Sequence, residues 1–250
     1  MDRRPPAAAV LVLHGGHESG TEPPPWGPLN LPGVRMRPFV RALRRATRTP
    51  KVRAPEDGTE VLVRQVRYEH RGWNGHRADA LRDALSALDA LGEEAGDVPV
   101  VLLGHSMGAR AALRAAGHPL VRGVVGLAPW CPPGDPVTQL VGRDIVLVHS
   151  SRDRITSPQA TQSLTARARR AGARTCMVTV RGGDHAMIRR APAWHRLTTT
   201  LVTGLLGTGS LPGPVIAALS LPPTAEPTEG TLDLDRLRAE RGPAGLLPSS

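Results

Sequence analysis

The stretch Val98-Pro99-Val100-Val101-Leu102-Leu103-Gly104-His105-Ser106-Met107-Gly108-Ala109-Arg110-Ala111-Ala112-Leu113-Arg114-Ala115-Ala116 changes character halfway along. Its first six residues form an unbroken apolar run, the pattern of a strand buried on both faces. Its last eight are alanine-rich and helix-forming. Between them lies Gly104-x-Ser106-x-Gly108. Glycines on both sides let the backbone bend sharply, and a serine on such a strand-to-helix corner projects its hydroxyl at the sheet edge. The five-residue pattern alone is a weak signal. The strand before it and the helix after it supply the context it requires.

Outward from this unit, strand-like and helix-like segments alternate. Residues 8–13 are an apolar strand ending in the loop His14-Gly15-Gly16-His17, and residues 61–68 alternate like a second strand. A proline-rich loop over 21–32 leads to a helix over 38–48. Residues 77–91 are amphipathic, with Leu81, Leu85, Leu88 and Leu91 inward and Gly92 as the stop. Strands follow at 121–127, 144–148 and 174–180. Ser157-Pro158 is a cap and first-turn proline for a helix that ends near Gly172, and Trp194, Leu197, Leu201 and Leu205 mark a last helix. Six strands separated by helices imply an α/β domain with a parallel sheet covered on both faces.

Beyond Gly207 the composition changes to Pro, Gly, Ser and Thr. The expected organisation is therefore a domain over 1–207 and a mostly disordered tail over 208–250, with a short helix at 232–240. Gly207-Thr208-Gly209 has no strand before it and fails as a nucleotide motif.

A chain of 250 residues can bury a full core. Its formal charge is +10, nearly all from arginine, since Lys51 is the only lysine. The arginines are scattered through every helix and aromatics for base stacking are scarce, so no nucleic-acid partner is expected. No apolar run approaches membrane-spanning length, and no membrane partner is expected. Residues 1–4, followed by the apolar 7–13, faintly imitate an export signal but lack a small-residue cleavage site. Cys131 and Cys176 are too few for a disulfide framework; they point to a reducing compartment and a cytoplasmic location. Cys176 reads as a small buried hydrophobe in a strand.

A serine hydroxyl is a poor nucleophile without a base, and the base needs an orienting carboxylate. The next acid at a strand end is Asp153, in His149-Ser150-Ser151-Arg152-Asp153, and the next histidine is His185, in Gly182-Gly183-Asp184-His185. Both come after parallel strands, at the edge where open α/β sheets place their sites. Asp135 is a rival acid; His14, His17, His105, His149 and His195 are rival bases. Attack on a carbonyl also requires two backbone donors for the oxyanion. Met107, opening the helix after the serine, and Gly16, in the loop after the first strand, are the natural candidates. No acid–histidine set gathers around His14 and His17, so neither metal nor cofactor is expected.

With these four motifs in order, the chain resembles the α/β-hydrolase family over roughly its first 205 residues. It is most similar to small bacterial serine esterase- or lipase-like members. The order Ser106, Asp153, His185 matches the family's triad order. The resemblance implies an α/β-hydrolase fold, a mostly parallel sheet of about six strands with helices on both faces. Only residues 130–143 fill the place where many members insert a helical lid, so a lid is minimal or missing and the cleft open. It further implies hydrolysis of a carboxylic ester through an acyl-enzyme. A thioesterase acting on an acyl carrier or acyl-CoA is the alternative, and a non-catalytic binding protein of the same fold is an alternative of another class. Trp26, Trp73 and Trp130 each fall in a loop after a strand, on the edge of Ser106. They are candidates for lining an apolar substrate pocket, with Trp130 foremost.

Overall fold

The computed structural model describes residues 6–48 and 60–239. Residues 1–4, Lys51 and residues 240–250, which figured in the reading of the sequence, lie outside them.

Among the described residues, seven strands form one sheet. They are β1 (Ala8–Leu13), β2 (Val61–Gln65), β3 (Val100–His105), β4 (Val121–Leu127), β5 (Asp144–Ser150), β6 (Arg174–Val180) and β7 (Thr231–Asp233). Their order is β2-β1-β3-β4-β5-β6-β7, and every neighbouring pair is parallel. Helices α1 (Leu31–Arg48), α5 (Ala191–Leu205), α6 (Gly213–Leu219) and α7 (Leu234–Ala239) contribute to the core on one face. Helices α2 (Asp79–Ala95), α3 (Met107–Ala115) and α4 (Pro158–Arg170) contribute to the core on the other. Period-two alternation explains how one strand serves both cores. In β1, Val10 and Val12 pack with Phe39 and Leu43 of α1, whereas Ala9, Leu11 and Leu13 pack with the opposite core.

Some helix ends differ from those the sequence suggests. Helix α1 starts at Leu31, before Pro38, because Asn30 caps it: its Oδ1 accepts from the Gly33 amide at 3.0 Å and its carbonyl from Val34 at 2.8 Å. Pro38 then sits inside the helix on its exposed side. Helix α2 runs past Gly92 to Ala95 and ends at Gly96, which takes φ of 75°. At α4 sequence and structure agree, with Pro158 in the first turn and Ser157 Oγ accepting from the Ala160 amide at 3.1 Å.

The larger correction concerns the segment after Gly207. Instead of disorder, residues 213–239 form α6, β7 and α7. β7 pairs with β6 through Met177↔Thr231, Val178↔Leu232 and Thr179↔Asp233, and so raises the strand number from six to seven. Five apolar residues carry this segment: Val215, Ala218, Leu219, Leu234 and Leu237 are all buried in the α1–α5 core. The buried Arg169 guanidinium donates to the carbonyls of Glu226 and Glu229 and fixes the turn that precedes β7. Average composition over a turn-rich segment hides such a small set of anchors. The short helix expected at 232–240 is present as α7.

The chain runs from β1 to β2 on one side and then crosses to β3 on the other. The carboxyl ends of β1 and β3 therefore flank a topological switch point, where open α/β sheets leave a crevice. Ser106 comes directly after β3. Between β4 and β5, residues 128–143 contain one short 3-10 turn, Thr138–Leu140, and no inserted helix.

Candidate active site

Ser106 occupies the corner between β3 and α3 with φ of 52° and ψ of −118°, a conformation that an L-residue adopts only when its surroundings impose it. Those surroundings are clear. Its amide donates to Leu127 O at 3.0 Å, and its carbonyl accepts from Ala109 and Arg110 of α3 and from Trp130 of the β4 loop. Gly108 is needed for close approach: a Cβ there would lie 2.4 Å from the carbonyl oxygens of both Leu13 and His14. The helix after the serine thus packs backbone-to-backbone on the end of β1, and this brings the Gly15–Gly16 loop beside Ser106.

Three side chains converge. His185, on the loop between β6 and α5, places Nε2 3.2 Å from Ser106 Oγ and Nδ1 2.8 Å from Asp153 Oδ2. Asp153 lies just past β5. Its side chain is fully buried, and its Oδ1 accepts from the amides of Ile155 and Thr156 at 2.8 and 3.0 Å. Burial by itself would raise the Asp153 carboxyl. Hydrogen bonds from His149, His185, Thr156 and Ile155 outweigh burial and hold it well below the ordinary carboxylate range. An ionised carboxylate only accepts, so His185 Nδ1 carries the proton and Nε2 turns its lone pair to the Ser106 hydroxyl.

His185 is further held from behind. His105 Nε2–H donates to the His185 carbonyl at 2.9 Å, and the two rings lie 4.9 Å apart. Burial first, and then the neighbouring His185, push the His105 imidazole down to about 3, so it is neutral.

Gly16 and Met107 meet in the structure. A Cβ on Gly16 would fall 2.3 Å from Met107 Cε and 2.6 Å from the Arg71 carbonyl oxygen, and the backbone contact leaves room only for glycine. Met107 opens α3, and a first-turn amide has no acceptor within its own helix. The Gly16 amide finds no acceptor among the described residues. His14 fixes the direction of that amide. Its Nδ1 lies 2.6 Å from the Gly15 carbonyl, and the N–H of Gly16, on the same trans peptide, points the opposite way. His14 itself is buried, which lowers its imidazole pKa, and it packs against Tyr68, whose hydroxyl donates to the His14 carbonyl at 3.1 Å.

Of the rivals, Asp135 is engaged elsewhere: both its oxygens accept from Arg110, at 2.7 and 2.8 Å. His17 is exposed, and His195 stacks edge-on against Phe39. His149 has a part that the sequence alone did not assign to it. It is fully buried at the end of β5, with Nε2 3.1 Å from Asp153 Oδ2 and Nδ1 2.8 Å from Thr161 Oγ1. The available signal was a histidine in a strand too buried to leave its ring nitrogens unpaired. Thr156, also passed over, donates to Asp153 Oδ2 at 3.0 Å.

The three tryptophans separate. Trp73 is buried and packs edge-on against Trp130, with the Arg110 guanidinium 4.0 and 4.4 Å from their ring centres. Trp130 is half-buried, and its amide ties it to Ser106. Trp26 stands exposed on the loop before α1 and joins neither. Both cysteines are buried, Cys131 with its Sγ 3.9 Å from Thr161 Oγ1, and burial pushes each thiol up to about 12.

The sequence profile of the Alpha/beta hydrolase family matches residues 10–145. No curated protein matches the chain. Among solved structures, an esterase from Pyrobaculum calidifontis aligns with TM-score 0.58 at 12% identity, over 83% of this chain and 78% of the esterase. A monoacylglycerol lipase from Paleococcus ferrophilus aligns at 0.52 and 16% identity, over 82% of this chain and 96% of the lipase. An alpha-beta serine hydrolase homologue from Coxiella burnetii aligns at 0.54 and 13% identity, over 79% and 86%. At these identities the likeness is one of fold.

Proposed function

We propose that this chain, which belongs to the alpha/beta hydrolase family, is a serine hydrolase that cleaves carboxylic esters through an acyl-enzyme. The observation that carries the reading is the continuous relay from Ser106 Oγ to His185 Nε2 at 3.2 Å and from His185 Nδ1 to Asp153 Oδ2 at 2.8 Å.

Ser106 Oγ attacks the ester carbonyl carbon while its proton passes to His185 Nε2. The carbonyl oxygen becomes an oxyanion, for which the amides of Gly16 and Met107 are the donors. Asp153 holds the imidazole in its tautomer and stabilises the imidazolium. Collapse expels the alcohol oxygen, which takes the proton from His185 Nε2, and leaves the acyl group on Ser106. Water then repeats the sequence and releases the acid. Trp130 stands on the acyl side. Trp73 acts behind it, as packing for Arg110, and Trp26 has no part in this step.

The test is hydrolysis of nitrophenyl esters of increasing acyl length, with fluorophosphonate labelling and peptide mapping. Ser106→Ala should lose labelling and lower turnover by about three orders of magnitude or more with the fold retained. A Ser106→Ala protein that keeps a tenth of the activity would sink the assignment.

A further inference from the structure

Among the described residues seven large apolar side chains stand exposed, and five of them belong to loops at one edge of the sheet. Trp26, Leu29 and Leu31, exposed by 88%, 75% and 66%, lie between β1 and the first residue of α1. Ile155, exposed by 74%, lies past β5, two residues after Asp153, and Ile188, exposed by 72%, lies past β6, three residues after His185. The strands are parallel, so all three loops open on the edge that carries Ser106. Of the other two, Val141 precedes β5 and lies on the opposite edge, and Ile216 is on α6.

The three loops surround one site. Helices α1 and α5 both begin at this edge and pack together, with Phe39 of one edge-on to His195 of the other at 4.5 Å. Burial lowers the guanidinium pKa of Arg35, near the start of α1, and the Asp184 carboxylate beside His185 opposes that shift. The loop carrying Leu29 and Leu31 therefore flanks the His185 loop on one side of the relay. Ile155 is on the Asp153 loop, which leads into α4 on the other face of the sheet. Scattered apolar residues are ordinary on a soluble surface, but a group gathered around a reactive centre is not.

Cations stand among these apolar tips. Arg152 and Arg154 bracket Asp153, Arg189 comes next after Ile188, and Arg37 reaches back to the Gly27 carbonyl at 3.4 Å; all four are exposed. The carboxylates of these loops are fewer than the cations: Asp153 is buried against two histidines, Glu22 pairs with Arg71, Asp184 accepts from the Arg189 amide, and Glu18 stands exposed. We propose that this edge seats itself on an anionic phospholipid surface, with Trp26, Leu29, Leu31, Ile155 and Ile188 in the headgroup layer and the arginines on its phosphates. Taken with the ester hydrolysis proposed above, on which this consequence rests, the substrates are esters drawn from a lipid layer. The sequence suggested no membrane partner because nothing spans; no helix among the described residues is long and apolar enough to cross a membrane, and a chain that lies on the surface needs none. A second copy is a poorer occupant. An isologous contact would set the four arginines of one chain against the same four of the other.

The test uses the full chain carrying Ser106→Ala, sedimented with phosphatidylcholine vesicles containing about one-third phosphatidylglycerol, so that binding is read without turnover. The protein should sediment with the vesicles. Leu29→Glu with Ile188→Glu should weaken that binding about tenfold or more, and Val141→Glu on the opposite edge should leave it within about twofold. With Ser106 restored, hydrolysis of a soluble short-chain ester should be unchanged by the rim substitutions, which separates failure at the rim from failure of the chemistry. The proposal is overturned if the protein stays in the supernatant or if Val141→Glu weakens binding equally. It is also overturned if the chain dimerises without vesicles and the Leu29→Glu, Ile188→Glu pair abolishes the dimer.

Discussion

Nε2 of His149 lies 3.1 Å from Oδ2 of Asp153, the same oxygen that receives Nδ1 of His185 at 2.8 Å. One carboxylate oxygen thus serves two imidazoles, one facing the serine and one facing the interior. Because the ionised oxygen only accepts, His149 donates through Nε2 and its Nδ1 accepts from the Thr161 hydroxyl. The inner imidazole keeps Asp153 aimed at the outer one, which makes His149 a positioning residue.

That role predicts a graded response. His149→Gln retains an N–H near the position of Nε2 and should keep kcat/KM within about threefold of the parent. His149→Phe fills the space without a donor and should lower kcat by about tenfold or more, the worth of a hydrogen bond to a charged group, with KM little changed. Equal losses in the two variants would reduce His149 to packing.

Asp153 and Asp135 separate chemistry from stability. Asp153→Asn should lower kcat by about three to four orders of magnitude, because the amide favours the wrong tautomer of His185. Asp135→Asn should leave ester hydrolysis near normal but destabilise the fold by about 3–5 kcal/mol, since the largely buried Arg110 loses its charged partner and one of its two acceptor oxygens. Turnover and urea unfolding of both variants decide it, and the reverse ranking of activities would move the acid to Asp135.

The depressed pKa of Asp153 also makes stability depend on pH, with a definite sign. In the unfolded chain this carboxylate takes up a proton near pH 4, whereas in the native state it does so only at lower pH. Its contribution is therefore complete above about pH 4 and is lost as pH falls from there toward the native value. The gap in unfolding free energy between the parent and Asp153→Asn should be present above about pH 5 and shrink as pH falls below about 4. A gap that widens on acidification would contradict the arrangement.

Much of this arrangement is legible in the chain. The strand, Ser106 corner and helix carry their own local signals, and β1, β4 and β6 have the ranges that their apolar runs suggest. Asp153 and His185 can be found because parallel strands must deliver the loops after them to one edge. Other features have only nonlocal causes. β7 is three residues long, and the helix expected over 232–240 takes in two of them, Leu232 and Asp233; they form a strand because β6 offers a free edge and because Leu234 and Leu237 anchor α7 directly after them. The stacking of Arg110 between Trp73 and Trp130 joins three segments with no common pattern. The strand read at 144–148 stops one residue short of His149, which lies inside β5, and its bond to Asp153 depends on a turn whose shape no local preference specifies.

The late position of β7 bears on how the protein is made. A ribosome delivers β6 and the His185 loop roughly fifty residues before Thr231, an interval of a few seconds at ordinary elongation rates. Throughout it, β6 has an open row of backbone donors and acceptors that a neighbouring nascent chain could pair with. A chain released just short of Thr231 would carry Ser106, Asp153 and His185 and would still be prone to cross-pair with its neighbours. The last strand is thus a seal applied after the chemical groups are already in hand.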